Sequence, residues 1–573
     1  MRKHIKHTLT GIFVLSVSLT FAQIKQKDTI NTGVIDVVKA YTPTISDAFK
    51  IKEVPNLNDG STQNKKEVKY NIFSFPVAST FTPAKGKAAS VEKEDPVKLY
   101  DNYATLAAGS YTTVLSEVYL NYLLNRNESV GGYVSHHSSH GDIEDVAFDS
   151  GFSDSKVKIN YTNRSRYTTW NADGGFRYQT YNWYGLPETQ ITDAKTNGID
   201  VGHAFYDAHI GGDVAFKDTY INSGSIKYQY FGDNQKSAEN RITAKAKIDV
   251  PINNEEITTD IKIDYLKGGF DRGYMETDNL NYGNFQLGLS PSYQIVKNDF
   301  TINLGASLYY LNDIENSKNK FFVYPNITAS YKLVSEVLIV YGGLKGDLIQ
   351  NTYRDFSNTN NFVSPTLNVL PTNRAYNAFA GIKGKISNTT SYNVNAHYIA
   401  DNDKALFVNN NITKTMQDYS YGNSFGLVYD DVKTLHFSGE INVDINRNLT
   451  LKLKGDYFNY SVDTETEAWN LPGFKSSLFL DYQIDEKWFA GANLYVVGKR
   501  KDQYYLNDGV SVPATITLDG YFDANAHVGY HINDRFSVFA KVNNVAGKSY
   551  QRWQNFPVQG FQLLGGATYK FDF

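Results

Sequence analysis

The sequence predicts an all-β protein, a transmembrane antiparallel β-barrel, on three observations. The last stretch, Val558 to Phe573, alternates apolar with mostly polar residues and ends on an aromatic residue. Tyrosine (43) and phenylalanine (34) are abundant among 573 residues, and glycine (43) is frequent whereas proline (14) is scarce. The strand-like stretches are joined by connections that alternate between short and long. A barrel in lipid needs an apolar outer face, aromatic girdles and a polar interior, and these patterns are typical of one.

The N-terminal residues 1–22 are interpreted as a secretory signal peptide. Basic residues between Arg2 and His7 precede a mostly apolar stretch, Leu9 to Phe21, and Thr20-Phe21-Ala22 is a small-x-small pattern. The apolar stretch is too short to span a bilayer as a helix. We therefore expect cleavage near Ala22 and export across the inner membrane.

The composition excludes several other classes of protein. No second window of 18 apolar residues follows the leader, so helical membrane spans are not expected. The sequence has no cysteine, so we expect no lipoprotein anchor, disulfide or thiolate metal site. A formal net charge of −4 is too small to indicate a nucleic-acid partner. Outer-membrane lipid is the partner that the alternation predicts.

Towards the C-terminus, tight turns alternate with longer polar loops. The predicted hairpins pair 520–530 with 536–542, 474–483 with 488–497, and a strand ending near Asp444 with 449–460. The longer loops between them are 461–473, 499–514 and 546–558. Short turns on one rim and long loops on the other are the asymmetry of outer-membrane barrels, whose short turns are periplasmic.

The strand count depends on one ambiguous stretch, Phe425 to Asp444. This stretch is either two short strands turning at Asp430-Asp431 or one long strand. Two strands would place the next turn on the wrong rim, so we predict one. Further tight turns are predicted near 217–219, 253–255, 297–299, 334–336 and 387–389. The total from Asn102 to Phe573 is then about 22 strands, an even number as in single-chain bacterial barrels.

The last strands resemble those of TonB-dependent outer-membrane receptors, particularly the Bacteroidota type. The stretch Phe536–Tyr550, followed by Pro557, Gly560 and the closing Tyr569-Lys-Phe571, is similar to the end of that family's barrel. The family commonly has an arginine after that glycine, where this sequence has Phe561. The resemblance implies a barrel in the bacterial outer membrane that takes part in transport of a solute or nutrient.

The resemblance covers the predicted barrel, residues 98–573, and fails before it. Family receptors carry a much longer plug domain inside the barrel, whereas only residues 23–97 lie between the leader and the barrel here. Thr32–Asp36 is a weak match to a TonB box. Two interpretations of 23–97 stay open: a partly ordered periplasmic lead, or a reduced plug within the lumen. A wide barrel with nothing inside would leak, which favours the second without deciding it.

Three functions remain compatible with the sequence. Solute or nutrient transport follows from the resemblance. A structural or accessory barrel that partners another envelope protein through residues 23–97 is the main alternative, because energised uptake needs a plug on which TonB can pull. A passive porin is the third. The sequence does not identify a substrate.

Candidate metal ligands occur in two places. His136, His137 and His140 precede acidic residues at 142–145, but strand alternation places His137 on the opposite face from the other two. The acidic stretch Asp463–Trp469 is a candidate calcium or sugar loop, which we interpret as solvated loop surface. We therefore predict no metal-binding residues.

Enzymatic motifs are not found either. The sequence has no Gly-x-Ser-x-Gly elbow, and no helix is expected after Gly268–Gly273 to form a phosphate cradle. We predict no enzyme, no catalytic or cofactor-binding residues and no cofactor. Aromatic residues cluster where strands meet loops, at Tyr178, Tyr181, Trp183, Tyr184, Tyr504 and Tyr505. We interpret them as an interfacial girdle, with a lumenal sugar-stacking platform as the alternative.

Overall fold

A computed structural model describes residues 100–573, except 218, 253–254, 414–416, 446–447 and 506–512. The expected signal peptide, 1–22, and the segment 23–97 lie outside the described residues, as do parts of the turns predicted at 217–219 and 253–255. The described chain forms a 22-stranded antiparallel sheet that closes on itself. The predicted fold class and strand count are confirmed.

The barrel strands follow one another in the sequence, each hydrogen-bonded to the next. They are β1 (Asn102–Gly109), β2 (Thr113–Asn125), β3 (Glu128–Ser139), β4 (Phe152–Arg164), β5 (Thr168–Asn182), β6 (Gly202–Phe216), β7 (Ile221–Asp233), β8 (Ala238–Ile252), β9 (Glu255–Phe270), β10 (Leu280–Lys297), β11 (Phe300–Asp313), β12 (Lys318–Val334), β13 (Leu338–Ile349), β14 (Thr372–Ser387), β15 (Thr390–Asn409), β16 (Phe425–Ile445), β17 (Leu449–Val462), β18 (Phe474–Gln483), β19 (Trp488–Val497), β22 (Tyr521–His531), β23 (Phe536–Asn543) and β26 (Gln562–Phe571).

Smaller elements lie in the connections between barrel strands. They are a 3-10 turn (Glu188–Gln190), helices α1 (Ile191–Asn197) and α2 (Tyr353–Thr359), and two hairpins, β20 (Arg500–Tyr504) with β21 (Ala514–Leu518) and β24 (Gln551–Trp553) with β25 (Phe556–Pro557). The prediction that 499–514 and 546–558 are irregular loops was wrong, because each contains strand residues. Among the described residues, neither helix has the length or the apolar run needed to cross a bilayer.

The sheet closes where β1 pairs with β26. Asn102 lies opposite Phe571 and Gly109 opposite Leu564. Inside the barrel, the hydroxyl oxygens of Thr105 and Thr568 are 2.9 Å apart. Closure pairs the backbone groups of both terminal strands, which lipid could not hydrogen-bond.

The two rims differ as predicted. Short turns connect β2 to β3, β4 to β5 and every second pair of consecutive barrel strands after them. The start of β1 lies on the same rim as these turns, because Asn102 pairs with Phe571 at the end of the last strand. Most connections on the opposite rim are longer, up to the segments 350–371 and 498–520. Chain that precedes Asn102 therefore joins the barrel at its short-turn rim, which is periplasmic in outer-membrane barrels.

Side chains alternate between lipid and lumen. Ile210 on β6 is 65% exposed on the outer face, whereas its neighbours on the inner face, Asp207 and His209, are polar. The C-terminal strand behaves as predicted, with Leu563 and Tyr569 outside. Leu564, the one apolar residue on the polar face, is buried inside the barrel.

β16 is one strand from Phe425 to Ile445, in register with β15 and β17. The alternative hairpin at Asp430-Asp431 is wrong. The extracellular end of β16 extends the wall well beyond that of β18, two strands away, which begins at Phe474 opposite Tyr457 of β17. This taller wall supports the loops described below.

We expect Ile210→Arg to destabilise the barrel in lipid by about 2–4 kcal/mol, because it places a charge on the hydrocarbon-facing surface. The measurement is the folding equilibrium into phospholipid vesicles in urea. Asn160→Arg is the matched control, since Asn160 lies on the lumenal face opposite Asp173 and should change stability little. Equal losses for both variants would contradict the assignment of the faces.

Candidate functional site

Loops of the long-loop rim fold against the inner wall at the barrel mouth. The segments 350–371 and 544–561 bring apolar side chains against the inner wall. Together they bury one cluster, here called the mouth cluster, formed by Phe205, Phe231, Leu266, Phe270, Tyr282, Tyr353, Phe356, Val363, Leu367, Val369, Phe425, Trp553 and Phe556. Burial of so many large apolar side chains stabilises the loops inside the mouth, since each contributes about 1.5–3 kcal/mol when removed from water.

The segment 350–371, here called the lid, carries helix α2 across the mouth. Thr352 caps the helix by accepting a hydrogen bond from the Asp355 amide at 2.9 Å. The carboxylate of Glu239, on the wall, accepts the amides of Tyr353 at 2.6 Å and Arg354 at 3.3 Å. The wall therefore holds the helix by its N-terminal end.

Side chains of the lid reach further wall residues. The Tyr353 hydroxyl donates to Asp233 at 2.7 Å, and Nε of Arg354 donates to Asp207 at 2.7 Å. In the opposite direction, Arg177 of β5 donates to Asn358 at 2.7 Å. Removing one partner of such a buried polar pair leaves the other unpaired, which is more costly than the pair itself is stabilising.

The far end of the lid is fastened to β16. The Ser364 amide donates to the Phe425 carbonyl at 2.9 Å. The Tyr429 hydroxyl accepts from the Leu370 amide at 3.0 Å and donates to the Asn368 carbonyl at 2.8 Å. The lid thus spans the mouth between β6–β8 on one side and β16 on the other.

A cavity of about 400 Å³ lies between the segment 544–561 and the wall, and Phe362 is its one lining residue from the lid. Aromatic side chains line it at Phe152, Tyr181, Tyr184, Phe362, Tyr495, Tyr521, Tyr550 and Phe556, and polar or charged side chains at His137, Asn182, Asp523, Asn525, Lys541, Asn543, Asn544, Arg552, Gln559 and Gln562. Leu564, the exception in the C-terminal alternation, also lines it. Its size is within the range of about 300–1,000 Å³ for ligand pockets.

The predicted histidine arrangement is found, without a metal site. His136 contacts the hydroxyls of Ser155 at 2.8 Å and Ser138 at 3.0 Å. His137 points the other way and lines the cavity. Its ring packs edge-on against Phe152, with 5.0 Å between the ring centroids. Across the described ranges, no group of three or more His, Asp or Glu side chains is arranged to hold a metal.

The acidic stretch Asp463–Trp469 is a surface loop in which Asp463, Thr464 and Thr466 are exposed, in keeping with the interpretation as solvated loop surface, and only Trp469 is buried. The carboxylate of Asp430 accepts the amides of Asp463 at 3.0 Å and Glu465 at 3.0 Å. The Trp469 indole donates to Glu465 at 2.8 Å and is buried against Val432. Asp430, which the sequence offered as a turn residue, instead anchors this loop to β16.

The girdle interpretation was wrong for three of the aromatic residues near the end of β5. Trp183 is fully buried, and Tyr181 and Tyr184 line the cavity. Tyr178 shares the outer face with Phe176, as a girdle residue should. Because β5 ends at Asn182, alternation cannot assign a direction to the residues that follow.

Tyr504 and Tyr505 are not girdle residues either. Tyr504 ends β20 in a hairpin outside the barrel sheet, and the Tyr505 hydroxyl donates to Gln503 at 3.3 Å. The sequence carried no signal for this hairpin, because its strands are only five residues each.

The β20–β21 hairpin is held by a buried carboxylate, Asp502. One oxygen accepts the amides of Asn409 at 3.1 Å and Gln503 at 2.8 Å. Burial raises the pKa of Asp502 to about 7, although these bonds and the nearby Arg500 favour the ionised form. The pKa in the docked hairpin exceeds that of a solvated carboxyl, so docking favours the protonated form. Docking is then strongest at low pH and weakens as the pH rises through about 7.

We expect the hairpin to exchange its amide hydrogens more readily at pH 8 than at pH 6, relative to an Asp502→Asn variant. The amide keeps the acceptor oxygen and cannot ionise, so the variant should lack this dependence. The measurement is hydrogen exchange of the peptide around 500–504 by mass spectrometry. The ratio to the variant at each pH removes the intrinsic pH dependence of exchange. A constant ratio would contradict the raised pKa.

No protein-family model and no curated protein matches this sequence. Three solved structures resemble the fold. The siderophore receptor PirA from Acinetobacter baumannii aligns with a TM-score of 0.60 at 12% identity over 82% of this chain and 80% of that chain. The pyoverdine outer membrane receptor FpvA from Pseudomonas aeruginosa PAO1 gives 0.60 at 13% identity over 84% and 80%. The ferric-catecholate import receptor Fiu from E. coli K12 gives 0.59 at 11% identity over 82% of each.

At these identities the likeness concerns the fold. The matched structures are receptors and not enzymes. The chain therefore has the 22-stranded barrel fold of the TonB-dependent outer-membrane receptors, as the resemblance of its last strands implied.

Proposed function

We propose that this protein takes up a solute across the bacterial outer membrane through the lumen of its barrel, and that it is not an enzyme. The lid is its gate. The observation that carries the proposal is the lid packed into the mouth, with a cavity that Phe362 of the lid helps to line. The shared fold supports it, since Fiu is an import receptor and PirA a siderophore receptor.

The proposal extends to the N-terminal residues. We infer that residues 1–22 are a signal peptide cleaved near Ala22. Residues 23–97 would then join the barrel at its short-turn rim, next to Asn102. From that position they can enter the lumen as a reduced plug or reach an envelope partner in the periplasm.

The lid argues against a passive porin. A porin needs an open aqueous path, whereas the lid crosses the mouth on buried aromatic side chains such as Tyr353 and Phe356. A purely structural barrel would need neither a lid nor a cavity. Uptake accounts for both features together.

Wild-type protein is expected to be electrically silent in planar bilayers, and Tyr353→Ala to conduct. The substitution removes a fully buried ring and leaves Asp233 and the mouth cluster without their contacts with it. Tyr167→Ala, at an exposed tyrosine on the short-turn rim, is the matched control and should stay silent.

Residues 23–97 could also block the lumen, so the same measurement is made on Tyr353→Ala lacking them. Conductance only in the doubly altered protein means that both segments occlude. A folded, doubly altered protein that stays silent would overturn the role of the lid, as would a conducting wild type.

Opening of the lid can be followed directly because the sequence contains no cysteine. Ser357, on α2, is 3% exposed, so Ser357→Cys should react slowly with a maleimide. Adding Arg354→Ala, which removes the bond to Asp207, should accelerate the reaction at least several-fold. Asp355 lies on the same helix and faces solvent, so Asp355→Cys should react fast both with and without Arg354→Ala. If Ser357→Cys reacts at the same rate with and without Arg354→Ala, Arg354 does not hold the lid.

A further inference from the structure

A row of aromatic rings crosses five consecutive strands of the barrel wall, β13 to β17. Phe379 pairs with His397 on the next strand, and His397 pairs with His436 on the strand after that. His436 in turn lies opposite Phe458 of β17. Together with the rings that stack on either end, these form a set here called the aromatic row: Tyr341, Phe379, His397, His436, Phe458 and Tyr460.

The aromatic row faces the lumen. The sequence neighbours Tyr398, Phe437 and Tyr457 are exposed on the outer face of the same strands. Because side chains alternate along a strand, His397, His436 and Phe458 point inward.

The rings of the row are held in place by their neighbours. Consecutive ring centroids from Phe379 to Phe458 are 5.4, 5.5 and 4.3 Å apart. Nδ1 of His397 lies 3.0 Å from Oδ1 of Asn377, and Nε2 of His436 lies 2.9 Å from Oδ1 of Asp456. The row is therefore a preformed surface, which a partner can bind without first ordering it.

Stacking explains why these rings adjoin one another, but it does not explain why they face water. The inner face of an outer-membrane barrel is polar, and its aromatic residues belong to girdles on the outer face. Every ring of the row is half-buried. The rings of the mouth cluster, by contrast, are covered by the lid and the segment 544–561. The row is thus an apolar surface on the water side of the wall that no described segment buries.

The same chain supplies a stretch of matching chemistry upstream of the barrel. Residues 70–84 contain no charged residue, and lysines bound them on both sides. Four of these fifteen residues are aromatic, namely Tyr70, Phe73, Phe75 and Phe81. The stretch is too short to span a bilayer, so its rings need a protein surface if they are to leave water. It brings no charge that docking would have to desolvate.

The row lies within reach of this stretch. His397 is seven residues from Thr390 at the short-turn end of β15, about 24 Å along the strand. A barrel of 22 strands, spaced by about 4.8 Å and tilted by about 40°, is about 45 Å across. Phe81 precedes Asn102, at the short-turn rim, by 21 residues. An extended chain of that length spans about 70 Å, which exceeds the path of about 50 Å across the lumen and up to the row.

We propose that residues 70–84 of this chain dock on the aromatic row inside the lumen. The inference rests on the proposed function, in which residues 23–97 join the barrel at the short-turn rim, and it decides between the two destinations left open for them. The aromatic side chains of the stretch pack against the row, where stacked and edge-on contacts between rings add to the burial of apolar surface. The row is then covered, as the rings of the mouth cluster are.

The test is photo-cross-linking of the purified full-length protein with Phe458 replaced by benzoylphenylalanine. After irradiation and proteolysis, mass spectrometry should identify a cross-linked peptide from residues 70–84. The same replacement at Tyr457, the next residue along β17, faces lipid and should give no such cross-link. Replacement at Phe379 serves instead if the Phe458 variant does not fold, as judged by heat-modifiable electrophoretic mobility.

Two further comparisons separate docking on the row from mere presence in the lumen. Lys245 lies on the lumenal face of β8, opposite Lys262, and benzoylphenylalanine there should cross-link residues 70–84 at least tenfold less. Phe73→Ala combined with Phe75→Ala removes two rings and should lower the yield from position 458 about tenfold. Phe49→Ala, outside the stretch, should leave that yield unchanged.

Cross-links from position 458 to the barrel alone, or none at all, would overturn the inference. Equal yields from positions 458 and 245, or no loss with Phe73→Ala and Phe75→Ala, would do the same. A cross-link to a different envelope protein in place of residues 70–84 would assign the row to another partner and also overturn it.

The proposed function is tested separately by conductance. A barrel that conducts when its lid is altered but shows no cross-link keeps its transport role and loses this docking surface. A barrel that cross-links and never conducts keeps the docking surface and loses the transport role.

Discussion

Closure of the sheet is the constraint on which the rest of the structure depends. A backbone group facing hydrocarbon cannot find water, so every strand needs two neighbours, and the pairing of β1 with β26 supplies the last pair. Closure also gives each strand two faces in different surroundings, one against lipid and one against the lumen. Apolar side chains such as Ile210 and Leu563 face lipid, and the polar side chains between them face the lumen.

A lumen lined by polar groups creates a second requirement, because loops that fold into the mouth must find partners for their own polar atoms. The lid meets it with wall carboxylates. Glu239 accepts amides at the start of α2, while Asp233 and Asp207 accept from Tyr353 and Arg354. These bonds position the helix, and the aromatic side chains around Tyr353 supply the burial that holds it there. Lid and wall therefore stabilise each other.

Much of the barrel could be read from the sequence alone. Period-two alternation reports which solvent each face meets, so the strands at 474–483 and 488–497, the single long β16 and the strand total all follow from local pattern and from the need to alternate rims. The resemblance at Phe536–Tyr550 indicated the fold for the same reason, since a closing strand must satisfy the same constraints in any such barrel.

Only the tertiary structure decided the site. Trp183 and Tyr184 follow the end of β5, where no alternation specifies a direction, and they turn inward. The lid and its anchors come from positions such as Asp207 and Arg354, which are 147 residues apart and meet because the barrel curves back on itself. Local pattern determines which solvent a strand residue faces; which loops fill the lumen depends on contacts between distant segments, and those exist only once the barrel has closed.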